Sequence, residues 1–401
     1  MLKKYSYKIY RYLTIGNYNI LDNDWYHDYL EIINNKFSIY FSHDTFKPDL
    51  YRSISQYKCQ RKLSPIWKNL FLDLISIIVF FFIFPLIVLS VLYDLFQFSE
   101  KTNSINSVIV EKIDIDLLSE EIQASNQIIN NESKLYFDKN IFIYFLKIFP
   151  YICFKPYFLL KIIYKFSEYS GIIRKSNPTK IFTYSEYSFC SSILTFYLEN
   201  RNIQHIYFMD GDKLLNVKSS FFRFSKALVW NQHYIDLFLK LKAFKNQFEI
   251  YKPKKHIDLI NENLKMKGNK GILKYFWAVE SKVDTLNYIK DNLSRIKKQG
   301  VRVIVRAHPY HIDKFNQIVL PILKDFEIEY PNQKKFIDSF CESEMILSSY
   351  STTLYEASLC NKIVLINDFK DNLKKLRKLG FPQNINSNII PLSDFNYMQK
   401  I

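Results

Sequence analysis

The hydrophobic pattern of the C-terminal part of the chain alternates between short apolar runs and amphipathic stretches with helical spacing. Apolar runs at 271–279, 301–308 and 344–349 predict strands, and the intervening stretch 283–300 predicts a helix that Gly300 ends. Strands separated by helices of this length indicate a parallel sheet with right-handed crossovers. The sequence therefore predicts an α/β domain in this part of the chain.

An earlier βαβ unit has the same pattern. Residues 178–187 and 203–213 are strand-like, and the stretch 188–202 between them has helical spacing. A lysine-rich stretch, Tyr251 to Lys270, separates this unit from the later one. A length of 401 residues suits two domains. We therefore predict an N-terminal domain at 1–250 and a C-terminal domain at 251–401.

One segment of the N-terminal half is too apolar for an ordinary surface. Leu74 to Tyr93 is a run of twenty residues without a charge, the length of a transmembrane helix, and we assign 70–98 as a membrane-associating segment. Pro85 interrupts the run, so we expect a kinked segment that lies in the membrane plane or enters and leaves one leaflet as two short arms, with both flanks cytoplasmic. A complete span and a buried core helix are the alternatives.

Composition narrows the classes of function. A net charge of +16 favours anionic partners such as nucleotides, phosphorylated lipids or an anionic membrane surface. No nucleic-acid recognition motif supports a nucleic-acid binder, and neither a GxGxxG nor a Walker A loop is present. The five cysteines lack any CxxC pair, which favours a reducing compartment and argues against a disulfide framework or a zinc site.

Two strand ends of the predicted C-terminal sheet are polar. VRVIVRAHPYH (301–311) and MILSSYSTTLYEAS (345–358) each run from an apolar strand into a polar corner. Ligands bind beyond the carboxyl ends of such strands, and the helix that Ser351 and Thr352 begin offers free N–H groups to an anion. His308 is placed to donate to a phosphate oxygen and Glu356 to reach a ribose. The candidate donor-site residues are Arg306, His308, Pro309, Ser349, Ser351, Thr352 and Glu356.

These two motifs resemble the C-terminal domain of GT-B glycosyltransferases that use cytidine nucleotides. Bacterial sialyltransferases and polysialyltransferases carry a His-Pro motif and a later Ser-Ser or Ser-Thr motif, both facing the CMP phosphate. The CDP-glycerol glycerophosphotransferases of teichoic acid synthesis are similar, with His-Pro, then D-Y-S-S and an acidic residue. Here that stretch is Ser349-Tyr350-Ser351-Thr352, with Ser349 in place of the Asp and Glu356 in the acidic position.

The resemblance extends to the N-terminal half. Sialyltransferases place an acidic pair and a glycine at the end of an N-domain strand, where one carboxylate is the general base for the acceptor hydroxyl. Here the stretch reads IYFMDGDKL, with Met209 in the first acidic position. The resemblance implies that Asp210 is the base, with Asp212 in reserve and the acceptor bound opposite the His-Pro site.

The fold that the resemblance implies is α/β and GT-B-like: two Rossmann-type domains, with the apolar helical segment in the N-terminal half. The implied activity is metal-independent and cofactor-free transfer of a CMP-activated sialic-acid-like or other nonulosonic sugar to a bacterial surface polysaccharide, such as a capsule, or to lipooligosaccharide. Asp210 and His308 are then catalytic. The partners are a CMP- or CDP-linked donor, a glycan or lipid-linked acceptor and the inner membrane surface, with no nucleic acid.

Two alternatives remain open. A CDP-glycerol-type glycerophosphotransferase would use His308 and the same helix terminus on a diphosphate donor. A non-catalytic, membrane-associated protein of polysaccharide assembly would keep the fold for binding alone, and the missing second acid before Gly211 favours it. In each case we expect the chain at the cytoplasmic face of the bacterial inner membrane.

Overall fold

The computed structural model describes nine stretches of the chain, namely residues 25–37, 46–96, 107–110, 117–118, 127–128, 136–266, 270–278, 280–381 and 389–399. These residues form two compact units. The first contains the described residues up to Asp210 together with Leu215–Tyr251. The second contains Gly211–Leu214 and the described residues from Lys252 onward. A short piece of the N-terminal half therefore belongs to the C-terminal unit.

The first unit is a parallel sheet covered by helices. Its helices are α1 (Trp25–Phe37), α2 (Phe46–Lys62), α3 (Ile66–Phe96), α4 (Lys139–Ile152), α5 (Pro156–Ser176), α6 (Ser191–Glu199) and α7 (Gln232–Lys240). Its strands are β1 (Ser107–Ile109), β2 (Gln127–Ile128), β3 (Lys180–Thr183), β4 (Gln204–Phe208), β5 (Lys226–Val229) and β6 (Phe248–Ile250). Within the described residues they pair in parallel in the order β2-β1-β3-β4-β5-β6.

The core of the first unit explains why these segments fold as they do. α5 places apolar residues at helical spacing, and Phe158, Ile162 and Phe166 are completely buried. Phe145 of α4 and Ile193 of α6 join the same cluster. The two strands and the helix predicted between residues 178 and 213 are confirmed as β3, β4 and α6.

The apolar segment is one long helix. α3 runs from Ile66 to Phe96 and includes Pro85, so the re-entrant alternative with two separate short arms is wrong. Among the described residues it is the one helix long and apolar enough to cross a membrane by length and composition. Only 17% of its most apolar window is buried, which excludes a buried core helix. Residues 97 and 98 of the predicted segment lie outside the described residues.

The second unit repeats the architecture. Its helices are α8 (Lys254–Lys265), α9 (Val283–Lys297), α10 (Phe336–Glu342), α11 (Thr352–Leu359) and α12 (Asn372–Lys378). Its strands are β7 (Ile272–Phe276), β8 (Arg302–Arg306), β9 (Glu327–Glu329), β10 (Met345–Ser348), β11 (Ile363–Ile366) and β12 (Ile389–Pro391). An irregular helical segment formed by Ile312–Lys314, Phe315–Val319 and Leu320–Leu323 precedes β9. The described strands are parallel, in the order β12-β11-β10-β7-β8-β9.

The central strands of this sheet are buried on both faces. Leu273, Val305 and Leu347 on one face, and Ile304 and Ile346 on the other, are at most 1% exposed, as expected for parallel strands covered by helices on each side. Gly300 has a φ of 83°, a left-handed conformation that glycine adopts without steric cost, and it turns the chain from α9 into β8. The prediction of two Rossmann-type α/β domains with an apolar helix in the N-terminal half is confirmed.

Candidate active site at the strand ends of the second unit

The candidate site lies at the carboxyl edge of three adjacent strands. β7 pairs with β10 on one side and with β8 on the other. Because the strands are parallel, the turns that follow them emerge at the same edge. The two polar motifs predicted from sequence follow β8 and β10, so the turn after β7 lies between them.

The turn from β10 into α11 is held by side-chain hydrogen bonds. Ser351 is the N-cap residue, and its Oγ accepts a hydrogen bond from the N–H of Thr353 at 3.2 Å. The Oγ of Ser349 accepts from Nδ2 of Asn367 at 2.9 Å. Ser348 Oγ donates to the carbonyl of Phe276 at the end of β7, at 2.8 Å. The start of α11 is therefore rigidly placed at the end of the sheet.

The segment Gly211–Leu214 contacts the same turn. The N–H of Asp212 donates to Oγ1 of Thr352 at 3.2 Å, and the hydroxyl of Tyr350 donates to the carbonyl of Asp212 at 3.2 Å. Tyr350 is partly buried, and desolvation of its hydroxyl, followed by the charge of Asp212, raises its pKa well above the usual value. Thus the acidic turn and the Ser/Thr turn, which were identified separately in the sequence, meet in the structure.

His308 follows β8 and is half-buried, whereas Pro309 after it is exposed. Its Nδ1 accepts a hydrogen bond from the N–H of Tyr310 at 3.3 Å. The neutral ring therefore carries its proton on Nε2, which is available as a donor. Partial burial, and then the neighbouring His311, lower the pKa of His308 below its usual value, which favours this neutral form.

The charged group of Arg306, at the end of β8, lies inside the second unit. The side chain is buried, and its guanidinium pairs with Glu329 and donates to the carbonyl of Lys334 at 2.9 Å. Glu329 is also paired with the buried Lys274 at 2.8 Å. The charge of Arg306 is thus neutralised inside a buried ion-pair network. A contact between Arg306 and a phosphate therefore stays a prediction, and any such contact must compete with the Glu329 ion pair.

Glu356 is also paired within the second unit. Its carboxylate is 1% exposed and lies 2.9 Å from Nζ of Lys255, at the start of α8. A contact between Glu356 and a ribose hydroxyl therefore stays a prediction, and any such contact must accommodate the Lys255 ion pair.

Glu280 is a residue that the sequence analysis missed. It lies in the turn after β7, where its Oε2 accepts from the N–H of Ala278 at 3.0 Å and its carbonyl accepts from Nε1 of Trp277 at 2.9 Å. Burial raises the pKa of Glu280, although a hydrogen bond with Ser349 acts in the opposite direction. A buried carboxyl with a raised pKa between the two polar motifs is a candidate functional group. Its signal in the sequence was an acid soon after an apolar strand.

Asp210 lies in the first unit, two residues beyond the end of β4. Met209, the first residue after the strand, is 0% exposed, whereas Asp210 is only partly buried. A second acid, Glu186, follows the neighbouring strand β3 and is 2% exposed. Burial, and then the charges of Glu186 and Asp210, raise the pKa of Tyr207 well above its usual value. Sequence analysis missed Glu186, because its proximity to Asp210 depends on the pairing of β3 with β4.

Within the described residues, no group of three or more His, Cys, Asp or Glu side chains is arranged to hold a metal ion.

The chain matches no known protein-family model and none of the curated proteins. It is similar to several solved structures. The UDP-GlcNAc 2-epimerase of Methanocaldococcus jannaschii, in complex with UDP-GlcNAc and UDP, has 12% identity over 70% of this chain and 94% of that chain, with a TM-score of 0.44. The UDP-N-acetylglucosamine 2-epimerase of Rickettsia bellii has 12% identity over 71% of this chain and 90% of that chain, with a TM-score of 0.43.

The wall teichoic acid polymerase TagF is also similar, with 12% identity over 74% of this chain and 79% of that chain, and a TM-score of 0.38. These values are too low for residue roles to be transferred. The assignment of the fold therefore depends on the order and direction of the strands in the two sheets.

Proposed function

We propose that the chain is a nucleotide-sugar-dependent glycosyltransferase whose donor nucleotide binds at the carboxyl edge of β10, β7 and β8. The observation that carries this proposal is the convergence at one edge of His308, the N-terminus of α11 and the turn at Asp212. Phosphate groups bind at helix N-termini, and nucleotides bind at the carboxyl edge of parallel sheets. The resemblance of both motifs to those of cytidine-nucleotide GT-B enzymes agrees with this chemistry.

His308 and α11 have complementary roles in this proposal. The N-terminal N–H groups and dipole of α11 favour the phosphate charge, and Ser351 fixes where the helix begins. Neutral His308 donates its Nε2–H to a phosphate oxygen, because Nδ1 is occupied by the N–H of Tyr310. These groups stabilise the negative charge that develops on the departing nucleotide. We therefore expect turnover to persist in the presence of a metal chelator.

The reaction that we propose is a direct displacement. Asp210 accepts the proton of the acceptor hydroxyl, and the hydroxyl oxygen forms a bond to the anomeric carbon of the sugar. The bond between that carbon and the phosphate oxygen breaks, and its electron pair leaves with the nucleotide. Asp210 precedes Gly211 and Asp212, and hydrogen bonds tie Asp212 to the first turn of α11. Asp212 is the reserve base.

The finer assignment is a CMP-activated, sialic-acid-like or other nonulosonic sugar transferred to a surface polysaccharide or a lipid-linked glycan. A CMP-linked donor has one phosphate and a CDP-linked donor has two, so the two kinds of donor differ in the number of phosphates that the strand-end site must bind. Titration calorimetry with CMP, CDP and UDP tests the site directly. We expect His308→Ala to weaken binding of the preferred nucleotide roughly tenfold or more, because one charge-assisted hydrogen bond is lost.

A donor screen then tests the reaction. Turnover of a CMP-sugar that requires an acceptor supports the proposal, and turnover of CDP-glycerol assigns the chain to the glycerophosphotransferase class. Nucleotide binding without turnover of any donor indicates a non-catalytic protein of polysaccharide assembly. If none of the three nucleotides binds, the strand-end site is wrong.

A further inference from the structure

The exposed face of α3 is unusual for a protein surface in water. Positions that face the rest of the first unit recur every three or four residues, as Leu72, Ser76, Ile87 and Val91 show. The opposite face is apolar along the whole helix, and its large side chains are 42–81% exposed. They include Trp67, Leu70, Phe71, Leu74, Ile77, Ile78, Phe81, Phe82, Leu86, Leu89, Leu92, Leu95 and Phe96. We call this set the outward face. A continuous apolar surface of this length marks an interaction site.

The polar residues of α3 face the rest of the first unit, whereas the polar residues of a surface helix in a soluble protein normally face water. Asp73 pairs with Arg61 of α2 and accepts from the N–H of Tyr157, at the start of α5, at 3.3 Å. Near the other end of α3, Asp94 accepts from the hydroxyl of Tyr136 and, at 3.1 Å, from the N–H of Lys139. These polar contacts add to the buried apolar residues Ile87 and Val91 in attaching the helix, and the large apolar residues of the opposite face are left outside.

These attachments fix the direction of α3. Asp73 of α3 contacts the start of α5 through the N–H of Tyr157. The guanidinium of Arg174, near the end of α5, lies 5.6 Å from the ring of Tyr93 of α3. The two helices therefore run side by side in the same direction. Asp73 and Asp94 are 21 positions apart, about 31 Å along a helix. If α3 crossed a bilayer in this arrangement, the Lys165–Glu168 pair of α5 would enter the hydrocarbon with it, which is costly.

A cluster of cations lies near the Asp73 end of α3. Lys155 is two residues before Tyr157, and Lys58 is one turn before Arg61 in α2. Burial, and then the positive charges of Lys36 and Lys155, lower the pKa of Lys58, so these three lysines are close together. A cationic cluster beside an apolar face complements anionic headgroups above a hydrocarbon layer.

We propose that α3 docks the chain onto an anionic lipid bilayer as an in-plane helix, with the outward face buried at the boundary between headgroups and acyl chains. This surface is independent of the nucleotide site, so the proposal does not depend on the proposed activity. Both ends of α3 stay on the same side of the membrane, which agrees with an enzyme that uses cytosolic donors. A second copy of the chain is the alternative partner for the outward face, and the experiment distinguishes this partner from a bilayer.

Vesicle flotation with the purified full chain tests the docking. The vesicles are phosphatidylcholine alone, or phosphatidylcholine with about one third phosphatidylglycerol. We expect binding to the anionic vesicles and weaker binding to the neutral ones. Phe81→Glu with Phe82→Glu should reduce binding about tenfold or more, because two charges would enter the apolar layer. The matched control is Leu264→Glu with Met398→Glu, which changes exposed apolar residues of the second unit and should leave binding unchanged.

Depth measurements then separate an in-plane helix from a span. Leu70, Phe81 and Leu92 lie three turns apart on the outward face. Each is replaced in turn by a labelled cysteine in a Cys153→Ser background, because the other four native cysteines are buried. Quenching by brominated lipids should report the same depth at all three positions. A label deep at position 81 and shallow at 70 and 92 would establish a span and overturn the proposal.

If the chain does not bind vesicles and forms a concentration-dependent dimer, and Phe81→Glu with Phe82→Glu abolishes that dimer, then the outward face binds a second copy of the chain. The absence of both binding and dimer would also reject the proposal. Circular dichroism of each variant confirms that lost binding does not reflect lost folding.

Discussion

The N–H of Asp212 donates a hydrogen bond to Oγ1 of Thr352 at 3.2 Å, although the two residues are 140 positions apart in sequence. The hydroxyl of Tyr350 returns a hydrogen bond to the carbonyl of Asp212. The backbone of Gly211 passes so close that a Cβ atom there would lie 3.4 Å from Oγ1 of Thr352. These contacts hold the turn at Gly211 and Asp212 against the first turn of α11, within the second unit.

The hydroxyl of Thr352 should therefore matter for turnover. Thr352→Val keeps the shape of the side chain but removes the acceptor of the Asp212 N–H, at a cost of about 1 kcal/mol in the free energy of unfolding. We expect kcat to fall about tenfold or more, because Asp212, the proposed reserve base, loses its contact with the first turn of α11. Steady-state kinetics with the donor identified by the screen measures this. The control is Thr285→Val in α9, and a Thr352→Val enzyme indistinguishable from it would contradict the prediction.

Nucleotide binding should depend on pH through His308. The pKa of His308 is lowered by burial and by His311, so the ring is neutral at pH 7 and gains a positive charge only below its usual titration range. Affinity for the nucleotide should consequently increase as pH falls through this lowered pKa. His308→Gln keeps a donor without a titration, and its affinity should lack this increase. A variant with the wild-type pH profile would show that another group titrates; His233→Gln is the control.

The carboxylate of Asp210 should be required for proton removal. Asp210→Asn should reduce kcat by about 10²–10⁴-fold and leave nucleotide affinity near that of the wild type. Asp236→Asn on the surface of α7 is the matched control, for which no change is expected. If Asp210→Asn retains most of its activity while Asp212→Asn does not, the reserve residue is the base.

The sequence was sufficient to predict the second sheet, because its strands and helices differ strongly in hydrophobic period. It also placed His308 and Ser351 at the carboxyl ends of two strands of one sheet, since both follow apolar strands closely. It did not predict that the turn at Glu280 lies between them. That position depends on the spatial order β10-β7-β8, which differs from the order of the strands in the sequence.

Residues whose surroundings depend on distant partners are the ones that the sequence described least completely. Arg306 is at the end of a strand, as a phosphate ligand would be, but β8 pairs with β9 so that Glu329 lies opposite it. The apolar helix was evident from hydropathy, yet its buried face was not, because the run is apolar on every side. That face depends on Asp73 and Asp94, whose partners are contributed by other helices and turns.

Acid should destabilise the first unit through His205. Its ring is 0% exposed, with Nε2 2.8 Å from the hydroxyl of Tyr169 and Nδ1 2.8 Å from that of Thr195. Burial, and then Lys165 and Arg223, lower its pKa to about 3, whereas the unfolded value is about 6.5. Between pH 6.5 and pH 3, the unfolded chain therefore binds about one proton more than the folded chain does. His205 therefore lowers the free energy of unfolding by about 1.4 kcal/mol for each unit that the pH falls through this window, and by nothing above about 6.5.

The measurement compares the pH dependence of urea unfolding in the wild type and in His205→Asn. The amide of Asn can donate and accept hydrogen bonds but does not titrate. The wild type should therefore lose about 1.4 kcal/mol more stability per pH unit than His205→Asn between about pH 6 and pH 4. His233→Asn in α7 is the control and should keep the wild-type slope, because His233 is only partly buried. Equal slopes in the wild type and His205→Asn would mean that His205 is protonated in the folded protein, and its burial between Tyr169 and Thr195 would then need another counter-charge.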